Sequence, residues 1–171
     1  FRGPNGAGTV PGFKPPLKIV ADQAAWKTPL PPGKSSPVLW RDRVFVTGVE
    51  GDRLTTLALD ASSGKVLWER LAPEVPLERV HRANSVAAST PCVDGDRLYV
   101  YFGSYGLLCY DHEGLEQWNK PIPTPKSMYG VATSPILDGP RLILTLDDDA
   151  NLPDSQLSRS KVIALDKATG K

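Results

Sequence analysis

The 171-residue chain has 40% hydrophobic and 23% charged residues, which is ordinary for a folded globular protein. Its net charge is +1 and it has no basic block, so neither nucleic acid nor an anionic membrane surface is expected as a partner. It has no run of about 18 apolar residues, and a membrane-spanning helix is therefore not predicted. The 15 Gly and 17 Pro favour short strands and turns over long helices.

The N-terminal part of the chain lacks the hydrophobic periodicity of a strand or a helix. We predict that residues 1–23 form an extended leader over the surface. Because the chain starts at Phe1 rather than Met, a targeting segment is expected to have been removed or left out. Residues 24–28, which include Trp26, resemble the last strand of the repeat described next, without the strands that should precede it.

One hairpin motif then occurs three times. The first copy, residues 58–68, has a strand ending in Ala-Leu-Asp, a Ser-Ser-Gly turn and a strand that closes on Trp. The second copy spans residues 109–118, and the third spans residues 164–171 and stops before any Trp. Successive motif aspartates lie 51 and 55 residues apart, and such a recurrence is typical of repeat architectures.

The residue types of this motif predict a structural role. We expect Asp60 to accept hydrogen bonds from the amides of the turn, and Gly64 to adopt the positive φ that the turn needs. Trp68 is a large apolar body suited to filling the space between packed sheets. The same roles are expected at Trp26, Asp111, Gly114, Trp118, Asp166 and Gly170.

Short strands surround each copy of the motif. Four antiparallel strands in a unit of about 45–55 residues is the pattern of a β-propeller blade. We therefore predict an all-β fold, in which residues 24–171 form a partial propeller as an open arc of about three blades. Complete blades are expected at residues 35–70 and 89–119, and an incomplete blade at residues 134–171.

The connections between the predicted strands differ in length on the two faces of the arc. Successive strands reverse direction, so the tight first-to-second and third-to-fourth turns share one face. The long segments share the opposite face: residues 28–35, 71–89, 120–133 and 147–160. Because binding residues tend to lie on loops held by a rigid scaffold, this long-loop face is the expected binding surface.

Several side chains on the long-loop face are candidates for ligand binding. Histidine titrates near neutral pH, arginines suit a carboxylate or phosphate, and tyrosines form an aromatic rim. The predicted ligand-binding residues are Arg79, His81, Arg82, Asn84, Tyr105 and Tyr129. The alternative is that these groups satisfy the backbone of the loop or pack locally.

An acidic segment near the C-terminus is a weaker candidate for a binding site. Its oxygen ligands for Ca²⁺ would be Asp147, Asp149 and Asn151, with Asp148 and Asp154 beside them. The spacing departs from an EF-hand loop, because Leu152 occupies the Gly position and no Glu closes the loop. A solvated acidic loop is expected, and no metal site is assigned.

Cys92 and Cys109 are expected to be small buried residues rather than a disulfide.

The phrase Ala-x-Asp-x-x-Ser/Thr-Gly-Lys-x-x-Trp resembles the tryptophan-docking motif of quinoprotein-like propellers. This group includes pyrroloquinoline-quinone (PQQ) dehydrogenases and BamB-like proteins. With the Ser-Pro starts of the blades, the resemblance covers roughly residues 24–171. The leader Phe-Arg-Gly-Pro-Asn-Gly-x-Gly is similar to that of exported bacterial PQQ-like repeat proteins. The resemblance implies Trp packing between blades and an exported location, in the periplasm or at the cell surface.

For a quinone enzyme of this group, the resemblance implies an adjacent Cys-Cys pair, Ca²⁺ ligands and an Asp base. Here the two cysteines, Cys92 and Cys109, are 17 residues apart. We therefore expect a non-catalytic scaffold without a cofactor that binds a protein, peptide or small ligand on its long-loop face. The alternative is a fragment of a PQQ- and Ca²⁺-dependent alcohol or sugar dehydrogenase.

The last predicted blade lacks a fourth strand, and two interpretations remain open. In one, the chain is part of a longer propeller. In the other, residues 24–28 of one copy complete the blade at residues 134–171 of a second copy, giving a strand-exchanged homodimer with six blades. Closure within one chain would leave three blades, fewer than the four to eight of typical propellers.

Overall fold

The computed structural model describes residues 12, 14, 17–148, 150, 153 and 159–171. These residues form three antiparallel sheets, preceded by a short 3-10 helix at Ala21–Gln23. The first sheet contains β1 (Val38–Trp40), β2 (Arg43–Glu50), β3 (Arg53–Asp60) and β4 (Val66–Leu71). The second contains β5 (Cys92–Val93), β6 (Arg97–Phe102), β7 (Gly106–Asp111) and β8 (Glu116–Pro121). The third contains β9 (Ile136–Asp138), β10 (Arg141–Leu146) and β11 (Lys161–Asp166).

Each sheet is a meander in which neighbours in sequence are neighbours in space, so each sheet is one blade. The registers of the three blades superimpose residue for residue. In the first blade Phe45 pairs with Ala58 and Ala58 with Trp68. The equivalent positions are Tyr99, Cys109 and Trp118 in the second blade, and Ile143 and Ala164 in the third. The predicted all-β propeller fold is confirmed as an arc of three sheets that do not close.

Two apolar cores lie between the blades. The second blade contributes to both cores, because successive residues of a strand face opposite sides of its sheet. In β6 every residue from 98 to 102 is buried. The core toward the first blade contains Phe45, Ala58, Trp68, Leu98, Val100, Phe102 and Tyr110. The core toward the third blade contains Tyr99, Tyr101, Leu107, Cys109, Leu142, Leu144 and Leu165.

The N-terminal segment differs from its sequence-based expectation. Residues 24–28, predicted as a blade strand, pair with no strand of the described chain. Trp26 instead packs against the turn of the first blade. The segment is therefore held to the first blade by the side chain of Trp26 and by the Thr28 hydroxyl, which donates to the carbonyl oxygen of Gly64 at 2.6 Å, and not by strand pairing. No helix in the described part of the chain has the length and apolarity needed to cross a membrane.

Candidate functional site

The blade junctions repeat one hydrogen bond three times. In each, an indole N–H donates to the carbonyl oxygen of the residue that follows the motif aspartate. Trp68 Nε1 lies 2.8 Å from the oxygen of His112, and Trp118 Nε1 lies 3.0 Å from that of Lys167. Trp26 Nε1 lies 2.9 Å from the oxygen of Ala61. Each tryptophan therefore fastens one blade or segment to the turn of the next.

The motif glycines make room for these indoles. Gly64, Gly114 and Gly170 all have φ near +70° to +81°. A Cβ on Gly114 would lie 2.7 Å from Cδ2 of Trp68, and one on Gly170 would lie 2.7 Å from Cε3 of Trp118. The glycines are thus required both by the backbone conformation and by the flat contact with the ring.

The motif aspartates hold the turns from within. Asp60 Oδ1 accepts hydrogen bonds from the hydroxyls of Ser62 and Ser63, at 2.6 and 2.7 Å, and from their amides. These bonds stabilise the charged form, with the Ser62 hydroxyl the largest cause, and they lower the pKa of Asp60 to about 2. Hydrogen bonds from Thr169 lower the pKa of Asp166 in the same way.

An arginine joins the tryptophan at two junctions, a contact that the sequence motif did not reveal. Arg43, the first residue of β2, donates to the carbonyl oxygen of His112 and, at 2.8 Å, to Glu113. Arg97, the first residue of β6, donates to the carbonyl oxygens of Ala168 and Lys167 at 2.5 and 3.5 Å. The signal in the sequence is an Arg directly after the first turn of each blade.

On the long-loop face, the loop that follows the first blade is hydrogen-bonded to the loop that follows the second. His81 donates from its backbone N–H to the carbonyl of Tyr129 at 3.2 Å, and the two rings pack edge to face at 5.1 Å. The side-chain amide of Asn84 donates to the carbonyls of Tyr129 and Val131, at 2.9 and 3.3 Å. The loop after the first blade is thereby fixed to the loop after the second.

The structure brings together five of the six predicted ligand-binding residues. Arg79, His81 and Arg82 are exposed on one loop, and Tyr129 is 58% exposed on the other, beside Met128 at 68%. Asn84 acts as the link between the loops. Tyr105 is not on this surface: it is 7% exposed in the first core, and its hydroxyl donates to Asn119 at 2.8 Å. We call Arg79, His81, Arg82, Met128 and Tyr129 the loop patch.

A buried carboxyl group supports the same two loops. Glu78 Oε2 accepts the amide N–H of Val131 at 3.1 Å, and its own amide donates to Ser104 Oγ at 2.9 Å. Its Oε1 and the hydroxyl of Tyr101 are buried without a hydrogen-bond partner among the described residues. Burial, opposed in part by the Val131 N–H, raises the pKa of Glu78.

The raised pKa of Glu78 predicts how Glu78→Gln changes stability with pH. The stabilisation from a neutral Glu78 is fully present below its ordinary pKa of 4.5 and is lost as pH rises through the raised value. Glutamine keeps the acceptor for Val131 and cannot ionise. The free energy of unfolding of the variant, relative to wild type, is therefore expected to increase with pH over that window.

Urea unfolding at a series of pH values measures this difference. Glu50→Gln, at an exposed position at the end of β2, is the matched control and should show no such trend. A Glu78→Gln variant whose relative stability fell with rising pH would contradict the assignment, because it would show that the carboxylate is the favoured form.

The two described aspartates of the acidic segment differ in their surroundings. Asp148 accepts the amide of Lys126 at 3.2 Å and pairs with Arg159 at 2.7 Å, whereas Asp147 is exposed. Asp149, Asn151 and Asp154 lie outside the described residues. The described part of the chain contains no cluster of three or more His, Cys, Asp or Glu side chains suited to a metal ion.

Cys92 on β5 and Cys109 on β7 are free thiols on either side of Tyr99, which lies between them on β6 of the second blade. Cys109 is part of the core toward the third blade, and Cys92 packs against that core. Burial raises the pKa of each thiol to about 12, which disfavours the reactive thiolate at neutral pH. The described residues therefore do not fit a quinone cofactor stacked on a cysteine pair, and we derive no reaction step through one.

Known structures share this fold at low sequence identity. Quinohemoprotein alcohol dehydrogenase ADHIIG from Pseudomonas putida HK5 aligns with a TM-score of 0.59 and 19% identity over 86% of this chain and 21% of its own. BamB from Moraxella catarrhalis aligns with a TM-score of 0.53 and 15% identity over 85% of this chain and 44% of its own. Quinohemoprotein alcohol dehydrogenase from Comamonas testosteroni aligns with a TM-score of 0.53 and 16% identity over 81% of this chain and 26% of its own.

The chain thus spans less than half the length of each of these proteins, and the likeness concerns the fold alone. No curated protein sequence matches the chain at a significant level. A family model described as outer membrane protein assembly factor BamB matches residues 18–142, which include the first two blades and the docking segment at Trp26. The chain therefore belongs to the BamB-like family of PQQ-like repeat propellers.

Proposed function

We propose that the chain is a non-catalytic scaffold that binds a protein or peptide segment through the loop patch. The observation that carries this proposal is the exposure of Met128 and Tyr129 beside the loop that carries the exposed Arg79 and Arg82. Tyr, Met and Arg are enriched at protein interfaces, and Tyr and Arg dominate binding hot spots. The bonds between the two loops hold the patch in place before binding, which lowers the entropic cost of association.

The charge and shape of the loop patch specify the partner further. Arg79 and Arg82 favour a segment with carboxylates, and Met128 and Tyr129 favour apolar side chains between them. The cavity that adjoins the patch at Gly130 and Val131 has a volume of about 20 Å³. Pockets for small organic ligands hold roughly 300–1,000 Å³, so a peptide or protein surface fits better than a small molecule.

An exported location follows from the same proposal. The family is described as an outer membrane protein assembly factor, and that description supports a place outside the cytoplasm for this chain. The two thiols are compatible with an oxidising compartment, because a buried thiol with a raised pKa resists oxidation.

A peptide-display selection against the immobilised chain tests the binding proposal. We expect selected peptides to combine Asp or Glu with apolar residues. Their affinity is expected to fall by a factor of about 10 to 30 for Tyr129→Ala and for Arg79→Glu, the loss typical of a hot-spot residue. Affinity is measured by isothermal titration calorimetry with the free peptides.

Leu115→Ala is the matched control, since Leu115 is equally apolar and 66% exposed, but lies in a motif turn on the opposite face. This variant should bind with unchanged affinity. Peptides whose binding survives both patch substitutions, or that depend on Leu115, would contradict the proposal.

A further inference from the structure

Met128 lies at the tip of a turn that carries part of the loop patch. Met128 and Tyr129 occupy the two central positions of this turn, which is closed by a hydrogen bond of 3.4 Å from the amide of Gly130 to the carbonyl oxygen of Ser127. Met128 is 68% exposed and belongs to neither apolar core. Its apolar side chain is therefore open to solvent.

The backbone of this turn is fixed from the neighbouring loop. Gly130 has φ of +83° and lies against Val80, whose Cγ1 leaves no room for a side chain at this position. The carbonyl oxygen of Tyr129 accepts hydrogen bonds from the amide of His81 and the side chain of Asn84. Each of the two loops connects two described blades. The exposed tip is thus held by a rigid backbone inside the arc.

Met128 is also the single methionine of the chain, and the two other sulfur atoms are protected. Cys109 is 0% exposed, and Cys92 packs against the same core. Thiols are oxidised through the thiolate, which burial disfavours at both cysteines. A thioether needs no deprotonation before it is oxidised. An oxidant in solution therefore meets one accessible sulfur atom, that of Met128.

A peroxide can oxidise this sulfur without a catalytic group. A sulfur lone pair attacks one oxygen of hydrogen peroxide, the O–O bond breaks, and the sulfur–oxygen bond of a sulfoxide forms. The other oxygen leaves as hydroxide and takes the proton of the first, which gives water. The thioether loses two electrons and the peroxide gains them. A sulfoxide reductase with a dithiol reverses the change and yields the thioether, water and a disulfide.

Oxidation of Met128 changes what the loop patch offers to a partner. The sulfoxide is polar, whereas the thioether is a soft apolar surface beside the ring of Tyr129. An apolar side chain of a bound peptide would cover the sulfoxide oxygen without giving it a hydrogen bond. Burying a polar group in this way is unfavourable. Because Met128 is part of no core, the folded chain should be unaffected.

We propose that Met128 is a reversible oxidation site that switches the loop patch between a binding form, the thioether, and a weakly binding form, the sulfoxide. The switch depends on the peptide binding proposed above and regulates it. A peroxide is the oxidant, and a methionine sulfoxide reductase acting with a dithiol is the reductant.

Mass spectrometry and calorimetry on the same sample test the switch. After treatment with a small excess of hydrogen peroxide, we expect the chain to gain the mass of one oxygen atom, located at Met128, with an unchanged thermal unfolding midpoint. The affinity for the display-selected peptides should fall by a factor of about 5 to 20. Methionine sulfoxide reductases for both sulfoxide epimers should restore the original mass and affinity.

Moving the methionine to the opposite face gives the matched control. The double variant Met128→Leu/Leu115→Met carries one methionine at a position that is 66% exposed in the wild-type chain, close to the 68% of Met128. Peroxide should add one oxygen atom to this variant. Whatever its starting affinity for the peptides, that affinity should be the same before and after treatment.

Two results would overturn the switch while leaving peptide binding intact. One is a wild-type chain that gains no oxygen at Met128, and the other is a chain that gains it and binds the peptides as before. A loss of affinity in the control variant after treatment would also contradict the switch, because it would place the effect away from the loop patch. An untreated chain that selects no patch-dependent peptide would instead refute the binding itself, and the switch with it.

Discussion

Trp68→Ala is expected to lower the free energy of unfolding by about 3–5 kcal/mol, the usual cost of removing a buried aromatic side chain. Trp68 is 9% exposed, its ring centroid lies 5.9 Å from that of Phe45 and 6.1 Å from that of Tyr110, and its N–H bonds to His112. The substitution therefore leaves a cavity between the first two blades and removes the hydrogen bond that joins them. Because repeats contact only their neighbours, the first blade should lose most of its coupling to the rest.

Urea unfolding followed by circular dichroism measures the loss. Trp26→Ala is the matched control, since Trp26 makes the same N–H bond at the open end of the arc, where one side of its ring is not covered by a blade. It should cost less than Trp68→Ala. Equal effects of the two substitutions would show that the indole acts through its hydrogen bond and turn alone, without inter-blade packing.

Gly106→Ala is expected to cost about 3 kcal/mol or more, through backbone strain and a clash with the main chain. Gly106 begins β7 with φ of +127°, a conformation that side chains rarely adopt. A Cβ there would lie 2.3 Å from the carbonyl oxygen of Lys120 and 2.5 Å from the amide of Ile122. Backbone atoms of a paired strand cannot move away as a flexible side chain can, so β8 would have to shift.

Gly51→Ala separates the two causes. Gly51 also has a positive φ, +60°, and a Cβ there meets nothing within 4 Å. Its substitution should cost about 1 kcal/mol from backbone strain alone. The difference between the two variants in thermal or urea unfolding then measures the clash, and a Gly106→Ala variant no less stable than Gly51→Ala would contradict it.

The elements that sequence reasoning placed correctly are those whose chemistry is local. The turn at Asp60 and Gly64 is specified by residues within five positions of one another, so the motif predicted it and its copies. The recurrence of the motif, with short strands around each copy, predicted the blades. The strand at residues 24–28 was not formed, because pairing requires an edge that no local pattern supplies.

The candidate site was less predictable, because its contacts join residues far apart in sequence. Arg43 looks like an ordinary turn residue until the turn at His112, in the next blade, lies beside it. Tyr105 was expected in an aromatic rim on the long-loop face. Its turn instead places the ring in the core, where its hydroxyl donates a hydrogen bond to Asn119. Glu78 lies in a loop that is not part of the repeat, and only the packing of Val131 and Tyr101 around it reveals its role.

We propose that this propeller arc acts as a binding scaffold and does not itself carry quinone chemistry. The most direct test adds PQQ and Ca²⁺ to the purified chain, follows the quinone absorbance, and measures alcohol- or sugar-dependent dye reduction. We expect neither a saturable absorbance change nor turnover above a protein-free control. Saturable quinone binding together with substrate-dependent dye reduction would contradict it.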